Sequence, residues 1–190
     1  LANDAAPANK MALAIFASNN QIDLGLTELA NSLTGFEAEI LTGNADRGKA
    51  LASSCISCHG NDFTGMVSER SPSLPQLSDW YMQSQMQKFK YNVRGYEVTD
   101  SDGTAMKALM QNYGNQQIAD LVAYIRTFES KEQAISLGGD PVKGKAHYQT
   151  CIACHQSDGK GNEPLNAPSL LGQSDLCLLY TSPSPRDRVL

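Results

Sequence analysis

Two five-residue strings, Cys55-Ile56-Ser57-Cys58-His59 and Cys151-Ile152-Ala153-Cys154-His155, constrain this chain more than any other feature. They stand 96 residues apart, and the sequence around them repeats at that interval without a gap. Gly43 aligns with Gly139, and Gly48-Lys49-Ala50 with Gly144-Lys145-Ala146. Asp62 and Gly65 align with Asp158 and Gly161, Pro72-Ser73-Leu74 with Pro168-Ser169-Leu170, and Ser78-Asp79 with Ser174-Asp175. A fixed internal period marks two copies of one folding unit. The match ends at Asp175, so the expected plan is one complete unit over 43–132 and the N-terminal part of a second, incomplete one over 133–176. Residues 1–42 match neither copy and are read as a leader of unknown role, partly helical, with a helix beginning over Lys10–Ala17. The string CLLYTSPSPRD at 177–187 back-translates into a transposon-end adapter used in DNA library preparation. Cys177–Leu190 is therefore expected to be an artefactual tail and carries no weight in the fold.

The pattern within the first unit is helical, and the expected class is all-α. Ala45–Ser54 is a short helix leading into the cysteines. Ser78–Tyr91 is a second, opened by Ser78 or Asp79 as N-cap. Gln116–Phe128 is a third, because Ile118, Leu121, Val122, Ile125 and Phe128 recur at helical spacing. The stretches Gly60–Gln76 and Asn92–Gly103 are polar and read as loops. A unit this small with so much loop has a thin core and calls for a covalent or metal staple.

The motif supplies that staple. Two thiols three positions apart can each add across a vinyl group of one haem, and the adjacent histidine then stands below the ring to bind its iron. Of five cysteines and three histidines, four and two lie in these motifs. A dithiol redox site needs a strand–helix setting that neither pair has. One shared four-cysteine zinc site is opposed by the whole repeat unit between the pairs. Structural disulfides would not require the histidines. Two covalent haem c groups are therefore expected, held by Cys55, Cys58 and His59 and by Cys151, Cys154 and His155, the second site being incomplete in this chain.

A haem iron in an electron carrier commonly takes methionine as its sixth ligand. Met66 lies too close to the cysteines. Met82 and Met86 share one helix face and read as packing residues. Met106 and Met110 both lie where the chain can return over a haem. His147 reads as a surface residue. No methionine follows His155, and by the repeat its counterpart would fall near position 202.

The formal net charge is −5, which offers no basic stripe for nucleic acid. The longest apolar run, Met11–Ala17, is far short of the roughly 20 residues that span a bilayer. An acidic surface suits a partner with a basic docking patch.

The string G-N-A-D-R-G-K before the first motif, S-P-S-L after it, W-Y-M-Q-S-Q-M-Q-K-F-K-Y-N-V-R-G, A-M-K-A-L-M and Q-Q-I-A-D-L-V-A-Y-I together resemble class I cytochromes c. The tandem arrangement is similar to the dihaem cytochrome c-four type, and the resemblance runs from Gly43 to Asp175. It implies Met106 as sixth ligand of the first iron, beside His59, with His155 on the second. It implies that the carbonyls of Pro72 and Pro168 receive the ring N–H of the ligand histidines, and that Arg94 stands near the haem propionates. It implies that the helix carrying Gly48 crosses the helix carrying Tyr124. It further implies an electron carrier rather than an enzyme, exported to the periplasm. The redox partners implied are a terminal oxidase, a quinol-oxidising complex or a dehydrogenase, with membrane association only through a partner or through segments outside this sequence. The alternatives are a dihaem enzyme, of peroxidase or thiosulfate-oxidising type, and a haem subunit of a larger oxidase or dehydrogenase. Trp80-Tyr81 and the Asp100–Gly103 loop resemble the last of these.

Overall fold

The computed structural model describes residues 38–181 apart from 98, 132, 134 and 135. The helix expected at Lys10–Ala17 and the tail beyond 181 lie outside the described residues. Helices α1 (Ala45–Leu51), α2 (Ile56–His59), α3 (Asp79–Lys90), α4 (Ser101–Met110), α5 (Asn115–Ile125), α6 (Pro141–Tyr148), α7 (Ile152–His155) and α8 (Asp175–Thr181) follow one another. Strand pairing among the described residues is limited to two isolated bridges, Met66 with Ser71 and Asn162 with Ala167. The all-α class holds. The structure differs from the sequence reading at Ser101–Gly103, expected as loop, which open α4. Asp100 caps that helix by accepting from the Gly103 N–H at 2.9 Å.

The chain divides into two compact units. One holds Ser84–Gly114 together with Glu39. Met86, Phe89 and Met110 are buried there. Gly95, at φ +74°, lies against the carbonyl of Gly103, where a Cβ would stand 2.2 Å from the oxygen. Gln87 receives the Glu39 N–H at 3.0 Å and donates to the Glu39 carbonyl at 2.7 Å.

The other unit holds Ile40–Gln83 and the chain from Asn115 onward. Its organising contact is α1 against α5. Ile118, Ala119, Leu121, Val122 and Ile125 form the buried stripe of α5. Backbone meets backbone at the crossing: a Cβ on Gly43 would lie 1.9 Å from the Ala119 carbonyl oxygen, and one on Gly48 1.9 Å from that of Asp120. Only glycine fits there. Asn44 caps α1 by accepting from the Arg47 N–H at 3.0 Å. Arg47 reaches across to α5 and grips Asp120 with two bonds of 2.7 Å. Asp120 also accepts from Asn44 N at 2.8 Å and from Gln116 Nε2 at 3.1 Å, so its buried carboxylate is fully met. The Arg47 bonds, foremost, hold Asp120 down to about 2.

Residues assigned by sequence to the leader also take part. Leu41 gives its N–H to Gln83 at 2.9 Å and takes a bond from the same amide at 3.0 Å, and the Thr42 carbonyl accepts from Gln116. Helix α8 begins at Asp175, the repeat counterpart of Asp79, and runs into the string read as adapter. Cys177 is buried, with its thiol 3.8 Å from the Ser71 carbonyl.

Candidate functional site

The first motif is a single helical turn set between a 3-10 turn and a glycine. Ala52–Ser54 leads into Cys55, whose N–H bonds the Ala52 carbonyl at 3.0 Å. The His59 N–H closes the turn on the Cys55 carbonyl at 2.9 Å, and Gly60 at φ +80° ends it. Both thiols are free, Cys55 buried and Cys58 exposed. Three positions along one turn place them on the same side of α2.

The loop that follows holds the histidine in place. Gly65 N–H bonds the His59 carbonyl at 2.9 Å, and Leu74 N–H bonds the Phe63 carbonyl at 2.9 Å. The Pro72 carbonyl then lies 3.0 Å from His59 Nδ1. A carbonyl only accepts, so Nδ1 carries the proton and Nε2 keeps its lone pair for a metal. His59 is 8 % exposed. Its pKa is pushed down by burial, against the opposing pull of the Pro72 bond, so the ring is neutral near pH 7. Among the described residues no group of three or more His, Cys, Asp or Glu side chains could hold a bare metal ion. One neutral histidine beside two free thiols suits a macrocycle that brings its own nitrogens, so the donor set fits haem c.

Sequence reasoning missed Phe63. It is fully buried at φ +58°, a left-handed conformation unusual for a bulky side chain. Its ring meets Tyr124 and Phe128 edge-on, with centroids 6.0 and 5.0 Å away. The aromatic cluster at the end of α5 thus sustains local backbone strain in the loop beside the histidine. The repeat held the signal, because the counterpart is Gly159, at φ +72°.

The second motif reproduces the local geometry. His155 N–H bonds the Cys151 carbonyl at 2.9 Å, Gly161 N–H the His155 carbonyl at 3.1 Å, and Leu170 N–H the Gly159 carbonyl at 2.9 Å. His155 Nδ1 lies 2.8 Å from the Pro168 carbonyl. Burial is what differs. Cys151 and Cys154 are both exposed, and α6 buries no residue. A Cβ on Gly139 or Gly144 would meet nothing within 4 Å.

Met106 and Met110 lie one turn apart on α4; Met110 is fully buried and Met106 half-buried. Met82 and Met86 are buried, in keeping with packing roles, and His147 is exposed. The Arg94 guanidinium stacks 4.6 Å above the Phe89 ring and donates to Gln85 at 2.9 Å. The residues named from the sequence therefore gather in two histidine–proline loops, while Met106 and Arg94 belong to the Ser84–Gly114 unit.

The cytochrome c family profile matches residues 45–129 and 141–179, one stretch for each repeat. Cytochrome c4 of Azotobacter vinelandii is 28% identical over 169 residues, covering 80% of this chain and 72% of the relative. The CcoP subunit of a cbb3-type cytochrome c oxidase from Rubrivivax gelatinosus is 29% identical over 124 residues, 64% of this chain and 37% of the subunit. Reduced recombinant cytochrome c4 from Pseudomonas stutzeri shares the fold with a TM-score of 0.55 at 23% identity, over 70% of this chain and 74% of that one.

Proposed function

Because the chain belongs to the cytochrome c family and is a haem c electron-transfer protein of cytochrome c4 likeness, we propose that it is a periplasmic shuttle passing single electrons between respiratory partners. Two haem c groups are assigned, one to each motif. The observation that carries the reading is the paired histidine–carbonyl contact, 3.0 Å at His59 and 2.8 Å at His155, which engages Nδ1 and leaves Nε2 open beside two free thiols in both repeats. When bound, the haem supplies an iron that alternates between ferric and ferrous.

The residues do the rest. Cys55 and Cys58 would tether the ring by thioethers, as would Cys151 and Cys154. His59 and His155 would bind the iron, and the carbonyls of Pro72 and Pro168 would fix the imidazole planes and raise their basicity. Met106 would provide the sixth ligand of the first iron; its side chain is half-buried, whereas that of Met110 is fully buried. Arg94, engaged with Phe89 and Gln85, would supply positive charge near the propionates. The net charge of −5 favours a basic docking patch on the partner and a salt-sensitive encounter. Among the described residues no helix is long and apolar enough to cross a membrane.

The test is spectral. Ferric protein with methionine on iron shows a weak far-red sulfur-to-iron band. Met106→Ala should abolish it, lower the reduction potential and admit carbon monoxide, whereas Met110→Ala should keep the band. An equal loss at Met110 would overturn the ligand assignment, and rapid peroxide turnover by the intact protein would overturn the carrier. The likeness to an oxidase subunit supports a second reading, a haem subunit docked on a terminal oxidase; stable co-purification with an oxidase would favour it.

A further inference from the structure

Ser71 stands immediately before Pro72 and is 9% exposed. Its hydroxyl works in both directions. It accepts the Met66 N–H at 2.9 Å and donates to the carbonyl of Cys58, the residue before His59. The Ser71 N–H returns to the Met66 carbonyl at 3.1 Å. The second repeat has Ala167 at this position and closes the same bridge differently. There Asn162 N–H bonds the Ala167 carbonyl at 2.7 Å and Ala167 N–H bonds the Asn162 carbonyl at 3.0 Å. Without a hydroxyl, residue 167 offers no side-chain donor to the Cys154 carbonyl.

We propose that Ser71 is a positioning residue for the first haem iron: its hydroxyl ties the peptide before His59 to the peptide before Pro72 and so sets the His59–Pro72 hydrogen bond. The two links form a closed ring. Cys58 carbonyl to Ser71 hydroxyl is one side, and Pro72 carbonyl to His59 Nδ1 is the other, joined by single residue steps at both ends. In such a ring a shift of one peptide is passed on to the other. The hydroxyl takes the Met66 N–H, whose counterpart on Asn162 goes to the Ala167 carbonyl; the His59–Pro72 contact is 3.0 Å, and the His155–Pro168 contact in the hydroxyl-free repeat is 2.8 Å. A shorter N–H to carbonyl bond gives the imidazole more anionic character and stabilises ferric iron. Ser71 thereby keeps the first site at a higher potential than its own loop would otherwise set, and makes two otherwise matching loops unequal.

This rests on the haem reading of the motif, and the experiment separates the two. The haem-loaded full chain is prepared as wild type, Ser71→Ala and Ser71→Thr. Covalent attachment is checked first by haem stain on a denaturing gel; wild type without haem would remove the functional reading itself. With haem attached, Ser71→Ala should lower the midpoint potential of the first haem and move the His59 Nδ1 proton resonance of the ferrous protein downfield. Ser71→Thr, which keeps the hydroxyl, should restore both. A role confined to stability would lower Tm and leave potential and resonance in place, and that result overturns the proposal. So does an upward shift in Ser71→Ala. Should Ser71→Thr fail to fold, the Nδ1 resonance of Ser71→Ala decides alone: downfield supports, unmoved or upfield refutes.

Discussion

The two motif loops are nearly the same object in different surroundings. Each closes its helical turn with a bond of 2.9 Å and sets a proline carbonyl against its histidine ring. In the first, Cys55 is 5% and His59 8% exposed while Cys58 faces solvent, whereas both thiols of the second face solvent. What separates them is α5. It covers α1 and, with the turn after it, brings Tyr124 and Phe128 to the first loop, while the repeat counterparts of Asn115–Ile125 would fall at 211–221, beyond the sequence given. The comparison teaches that the loop's conformation is local and its enclosure is not. Short-range hydrogen bonds shape the ligand's setting, and a helix 60 residues downstream of the motif excludes the water.

The sharpest way to break this comparison is at Phe63. Phe63→Ala should cost about 3 to 4 kcal/mol by emptying the aromatic cluster. Gly159→Ala should cost only about 1 kcal/mol, for placing a Cβ at positive φ. Thermal melts of the haem-loaded protein measure both; similar costs would mean that α5 does not distinguish the loops. Next comes the crossing. Gly48→Ala drives a Cβ into the Asp120 carbonyl and should destabilise by about 3 kcal/mol. Gly144→Ala meets open space and should stabilise by roughly 0.5 kcal/mol through helix propensity.

The smallest effect is electrostatic and pH-dependent. Asp120 is lowered from the usual 3.8 to about 2, chiefly by Arg47. A depressed carboxylate stabilises above its unfolded pKa, so the contribution is complete above about pH 5 and fades as pH falls through 3.8 towards 2. Denaturation midpoints of wild type and Asp120→Asn should differ at pH 6 and converge near pH 2. In the second repeat Lys143 replaces Arg47 and pairs with its own cap Asp140 at 3.7 Å, so Lys143→Ala should leave the midpoint unmoved.

The legible parts were those with a local cause. The stripe on α5 announces itself by spacing, and the crossing at Gly48 was implied by the family resemblance. Helix α4 was hidden because Gly103 and Thr104 interrupt its pattern, although Asp100 three residues before Gly103 was a usable cap signal. Asp120 looks like a polar break in an apolar stripe until Arg47, 73 residues earlier, is seen to meet it. Phe63 and Ser71 were invisible in one copy, since nothing in a single loop says that phenylalanine takes positive φ or that a hydroxyl enters a bridge. Setting them beside Gly159 and Ala167 reveals both, because a repeat is its own mutant.

The amides of Gln83 and Gln87 grip Leu41 and Glu39 by backbone atoms alone. Such a grip is blind to side-chain identity. Proline at position 39 or 41 would delete the donated N–H. What this mooring fixes is register: an insertion or deletion after Leu41 must be absorbed before Gly43 reaches its place on α5, so the length of this stretch is held whatever its spelling.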